Sequence, residues 1–87
     1  MYLLVKCEKV GEVRSFQNGR GEQVTAMDLE FSQGTEGMLV TAFDKVVTAV
    51  QSVKPVAGAY YWIDVHFSVN GTEKRFQSIR LTSISAF

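Results

Sequence analysis

One cysteine, one proline, one histidine and no net charge set the first limits on this 87-residue chain. The single thiol, Cys7, cannot close an internal disulfide, so stability must come from packing, and the cytoplasm is the expected setting. One histidine and one cysteine, far apart and without ligand-spaced companions, do not make a zinc site. Neither Walker-type nor dinucleotide-type glycine spacing occurs, so no cofactor is expected. No apolar run reaches the length of a spanning helix or a signal-peptide core, because Met1-Tyr2-Leu3-Leu4-Val5 meets Lys6 almost at once. Zero net charge argues against a protein that holds nucleic acid by bulk electrostatics. The charge is unevenly spread, however. Residues 1–44 carry four basic and seven acidic side chains, whereas residues 45–87 carry five basic and two acidic ones. Such a split can form a basic face or favour subunits meeting head to tail.

What is present suits one small globular domain spanning 1–87, because 46% hydrophobic and 21% charged residues are ordinary for a packed core under a solvated surface. Organisation centres on Gly37 to Val69. Met38 to Phe43 is apolar and β-branched, as a strand requires. From about residue 45 the period changes: Val46, Ala49, Val50 and Val53 fall at helical spacing, with Thr48 and Gln51 outward. Asp44 is placed to cap that helix, Pro55 biases Lys54 out of it, and Gly58 can supply a positive φ before the next strand. From Tyr60 to Val69 alternation returns. Tyr61, Ile63, Val65, Phe67 and Val69 share the core face; Tyr60, Trp62, Asp64, His66 and Ser68 share the outer one.

Upstream, Tyr2 to Phe16 reads as one long strand whose parity breaks at Gly11, the mark of a bulge or corner. Asn18-Gly19 signals a hairpin turn. In Gln23 to Ser32, Thr25, Met27, Leu29 and Phe31 form the apolar face and Val24, Ala26, Asp28 and Glu30 the other. Gly34 to Gly37 turns the chain into the central segment. Downstream, Asn70-Gly71 is a second hairpin turn, and Phe76 to Ile84 a last strand whose parity shifts between Phe76 and Ile79/Leu81, the mark of a second bulge. The order strand, strand, strand, helix, strand, strand, with a long bent first strand, predicts an all-β fold: the five-stranded Greek-key barrel of the OB-fold, with one short helix between strands three and four. An antiparallel sheet with one helix packed on it is the alternative. Closure suits long, poorly guarded strands better because it removes their edges.

Val40-Thr41-Ala42-Phe43-Asp44-Lys45-Val46-Val47-Thr48-Ala49-Val50, followed by Gly58-Ala59-Tyr60-Tyr61-Trp62-Ile63-Asp64-Val65, resembles the OB-fold single-stranded DNA-binding proteins of bacteria and phage. The shared pattern is a strand ending in an aromatic, a small residue and a lysine, then the helix, then a glycine before strand four. The size and the ending Arg80-Leu81-Thr82-Ser83-Ile84 are similar to the compact binding proteins of filamentous phage. The resemblance implies a non-enzymatic protein that binds single-stranded DNA without sequence preference in replication or recombination, serves a phage or mobile element, and works as a homo-oligomer, dimer or tetramer. DNA is not distinguished from RNA. The bacterial family's acidic-tipped tail has no counterpart after Phe87, so recruitment of partner enzymes through such a tail is not expected.

Non-specific binding of a single strand needs flat side chains for stacking and cations along the backbone path. Phe43 matches the family's stacking aromatic; Tyr60 and Trp62 stand on the outer face of strand four; Phe16 lies at the root of the first loop, and Phe76 adjoins the last. Cations come from Arg14, Arg20, Lys45, Lys74 and Arg75, with Arg80 in reserve. Arg20 and Lys74-Arg75 belong to the two loops that flank an OB cleft. Tyr60 and Trp62 suit a subunit interface equally well, Phe43 suits the core, and the basic loops suit a solvated surface. Asp64, His66 and Ser68 have the residue types of a nucleophilic triad, but neighbours on one strand face stand about 6.7 Å apart, too far for its hydrogen bonds. An enzyme is therefore not expected. The competing reading is an OB-like protein-interaction or assembly module without nucleic acid, favoured by zero net charge and by Asp28 and Glu30 on the outer face of strand two.

Overall fold

The computed structural model describes residues 2–69 and 77–87. Its elements run β1 Tyr2–Gln17, β2 Gln23–Gln33, β3 Glu36–Phe43, α1 Lys45–Val53, β4 Tyr60–Val69 and β5 Gln77–Ala86. The strands close into a barrel in the order β1-β2-β3-β5-β4. The five-stranded closed barrel with a short helix after strand three is the expected OB architecture. No helix among the described residues is long and apolar enough to cross a membrane.

Two sheets' worth of pairing fall on β1 because it bends. Tyr2 to Lys6 pairs with β4, and Lys6 to Gln17 pairs with β2. The register slips between Cys7 and Lys9 and again between Val10 and Val13, where Gly11 and Glu12 together oppose Asp28. Gly11 allows that second bulge to lie flat on β2: a Cβ there would come within 2.5 Å of the Asp28 carbonyl oxygen. The hairpin that follows is fixed by the Asn18 side chain, whose Oδ1 accepts from the backbone N–H groups of Arg20 (2.9 Å) and Glu22 (3.0 Å).

Inside the barrel, alternate positions of every strand meet. Val5, Cys7, Leu29, Phe31, Val40, Ile63 and Leu81 are buried, and Val47 and Val50 of α1 close one end. Burying some 1.5 to 3 kcal/mol of transfer free energy per large aliphatic or aromatic side chain, this cluster carries the fold without a disulfide.

Four expectations are corrected. The buried face of α1 centres on Val47 and Val50, with Val46 and Val53 half-buried and Ala49 exposed, because the helix begins only after a backbone turn at Asp44 with φ 48°. Asp44 makes no side-chain cap bond to α1. Phe67 is exposed despite its core parity: it lies two residues beyond Val65, opposite Ile79, which is itself only partly buried at the edge of the core. The β4–β5 register is regular from Gln77 to Leu81 and shifts at Thr82, the extra residue between the partners of Asp64 and Val65. There the Thr82 hydroxyl donates to the Asp64 carbonyl (3.0 Å). Phe76, the other end of the expected bulge, lies outside the described residues.

Candidate nucleic-acid interface

Pairing across three strands assembles one outward row: Arg14 on β1 opposes Ala26 on β2, which opposes Phe43 on β3. The next row holds Asp28, Thr41 and, across the barrel's parallel junction, Arg80 and then His66. Opposed residues on neighbouring strands point to the same side of the sheet, so Arg14, Phe43, Asp28, Thr41 and Arg80 share one surface that runs from the edge of β1 over β2 and β3 to β5, and His66 on β4 begins the turn of the wall away from it. Ala26 is fully buried between its larger neighbours, leaving Arg14 and Phe43 to define the surface there.

The chemistry of this face comes in two clusters. The Arg80 guanidinium carbon lies 5.4 Å from the centroid of the half-buried Phe43 ring, within the reach of a cation–π contact. Beside it, Arg14 donates to both carboxylate oxygens of Asp28, at 2.7 Å and 3.5 Å, and the Thr41 hydroxyl donates to Oδ1 at 2.8 Å. The Arg14 hydrogen bond is the main reason the Asp28 carboxyl is held below its ordinary value; partial burial opposes it and the Thr41 bond assists. Asp28 is therefore a carboxylate at neutral pH, and Arg14 spends part of its charge on it.

The β1–β2 hairpin and the start of α1 lie at one end of this face. Phe16, exposed and opposite Val24, stands at the root of the β1–β2 hairpin, and Arg20 lies exposed in its turn. Lys45, exposed at the first position of α1, is brought to the same end because Asp44 is bonded to Thr25 of β2. The structure thus places Arg14, Phe16 and Phe43 on one face, with Arg20 in the adjoining turn and Lys45 at the start of α1 beyond it. Lys74, Arg75 and Phe76 lie outside the described residues.

Tyr60 and Trp62 do not join them. Tyr60 opposes Lys6, which opposes Ser32 at the far end of β2, six residues from Ala26; that is about 20 Å along the strand. Trp62 is further round, beside Leu4 and Ser85, with its ring 6.4 Å from that of Phe87. Tyr2 at 72% exposure, Trp62 at 42% and Phe87 at 77% make this second surface distinctly apolar. Arg80 is the functional candidate the sequence placed only in reserve. Its place beside Phe43 depends on a parallel contact between β3 and β5, and no local pattern in either strand announces it.

No protein-family profile matches the chain, and no curated protein matches it in sequence. Among solved structures it is similar to the second OB-fold domain of replication protein A from Methanococcus maripaludis, with a TM-score of 0.75 and 9% identity over 99% of this chain and 81% of that one. At that identity the likeness establishes the fold: this chain is an OB-fold barrel.

Proposed function

We propose that this protein binds single-stranded nucleic acid, DNA in the first instance, across the β2–β3–β5 face, without requiring a particular sequence and without catalysis. The observation that carries the reading is the Phe43–Arg80 pair: an aromatic ring with a cation on it, outward on the barrel and flanked by Phe16, Arg20 and Lys45. A base stacked on such a ring contributes about 1 to 3 kcal/mol, and an arginine beside it can meet the phosphate. The OB neighbour from a replication protein supports a role in replication, and the resemblance to the phage and bacterial binding proteins supports recombination as its alternative and service to a phage or mobile element. One barrel engages only a few nucleotides, so useful affinity calls for several copies acting together. The Tyr2–Trp62–Phe87 surface, remote from the cleft, is available for that self-association.

The test is anisotropy of a labelled, unstructured mixed-sequence oligonucleotide titrated with protein at low and moderate salt. Saturable binding that weakens with salt supports the reading. A flat titration at low salt overturns it and leaves the assembly module, for which the same Tyr2–Trp62–Phe87 surface speaks.

A further inference from the structure

We propose that Asp28, held by Arg14 and Thr41, reads a base edge and gives the cleft a preference for guanine. This rests on the nucleic-acid reading above and adds a specificity to it. A carboxylate in the middle of a phosphate-binding face would be counterproductive if phosphates were to lie there. It repels them, and it occupies the nearest arginine. The same carboxylate is well suited to base edges, which carry N–H donors.

The geometry leaves it room to act. Asp28 accepts three hydrogen bonds, one of them long, from two partners, and a carboxylate offers about four lone-pair sites. The Arg14 and Asp28 side chains remain 51% and 37% exposed, so both can still reach a ligand. Arg14 donates only part of its five N–H groups. Against Asp28 lies a shallow depression whose wall is completed by Gly11, Lys9, Glu30 and Leu39. The exposed Leu39 side chain offers an apolar surface for the flat face of a base, and Glu30 adds a second carboxylate.

Among the four bases only guanine presents two adjacent donors, N1–H and the N2 amino group, beside an acceptor, O6. The donors match the Asp28 carboxylate and the acceptor matches a free Arg14 N–H. Thymine presents one N–H between two carbonyl oxygens, which two carboxylates repel. Adenine and cytosine offer one amino group next to a ring nitrogen acceptor. A well-made pair of hydrogen bonds to a base edge discriminates by roughly tenfold or more.

The experiment uses labelled thymidine 12-mers in which every third position is guanine, adenine, cytosine or inosine, spaced so that guanines do not associate. We expect the guanine strand to bind about tenfold more tightly than all-thymidine, and inosine, which lacks the N2 amino group, to lose most of that gain. Asp28→Asn should bring the guanine and thymidine strands within about twofold of each other. The inosine comparison needs no protein variant, so it decides the matter even if that variant folds poorly. Equal affinity for all strands would overturn the guanine preference and leave general binding intact. Binding to none would overturn both readings.

Discussion

Asp44 and Thr25 hold each other by two hydrogen bonds, the Asp44 N–H donating to the Thr25 carbonyl at 2.8 Å and the Thr25 N–H donating to the Asp44 carboxylate at 3.2 Å. The residue expected to cap the helix instead ties the β3–α1 junction back onto β2. It does so at φ 48° and ψ −110°, outside the left-handed helical well, a backbone geometry that is strained for any residue with a side chain.

Replacing Asp44 separates these contributions. Asp44→Ala should cost about 1 to 2 kcal/mol, since it removes an acceptor and leaves a β-carbon at φ 48° without compensation. Asp44→Asn, which keeps an acceptor oxygen, should cost less than about half of that. Urea unfolding monitored by circular dichroism gives the comparison; equal losses would mean the carboxylate bond contributes nothing.

Gly11 is irreplaceable for a steric reason, whereas Gly19 is not. Gly11→Ala drives a methyl group into the Asp28 carbonyl and should destabilise by about 1 to 3 kcal/mol. Gly19→Ala meets open space and should stay within about 0.5 kcal/mol of the parent. Melting temperatures of the two variants, measured side by side, check the contrast.

Acid should loosen the Arg14–Asp28–Thr41 cluster. The Asp28 carboxyl titrates below its ordinary 3.8 in the folded protein, so its contribution is complete above that value and disappears as the pH falls through the folded value. The Asp28→Asn variant should therefore lose stability less steeply than the parent as the pH is lowered past the ordinary 3.8. The cluster is well exposed, so the difference is small. Parallel acid titrations of unfolding would show it as converging curves, and curves that stay parallel would count against the cluster.

The two outward aromatic surfaces should separate in solution. Phe43→Leu, which keeps the half-buried packing but removes the ring, should weaken oligonucleotide binding by about 1 to 3 kcal/mol. Trp62→Ser should change the sedimentation coefficient at high protein concentration more than it changes binding. The reverse pattern would place the cleft on the Trp62 side of the barrel.

Much of this was legible in the residues. Alternation located the strands, Asn18-Gly19 and Gly58 the turns, Gly11 the bend, and the break in period the helix. What alternation reports, however, is only whether a side chain points into or out of a sheet. In a closed barrel, outward positions face every direction around a cylinder, so Phe43 is outward like Tyr60 and Trp62 and yet looks away from both. Arg80 and Asp28 were hidden for a related reason. Their neighbours come from strands far apart in the chain, and only the register of the folded sheet brings Arg14, Thr41 and Phe43 beside them. At the helix, spacing found Val50 but not Val47, and Ala49, expected on the same face, is exposed, because the period fixes a helical stripe only to within a residue or so while the turn at Asp44 sets where the helix starts.

Closure of the barrel has a mechanical side. Among the described residues, β3 and β5 meet through a single register pair, Thr41 with Arg80, whereas the other strand pairs run in long antiparallel ladders. Thr41 also holds Asp28, and Arg80 also covers Phe43. The narrowest seam of the wall thus runs directly beneath the proposed cleft, where a bound strand would act as a suture across it. Occupancy would then be legible in the protein's own backbone, as slower amide hydrogen exchange along β3 and β5, before any change in shape.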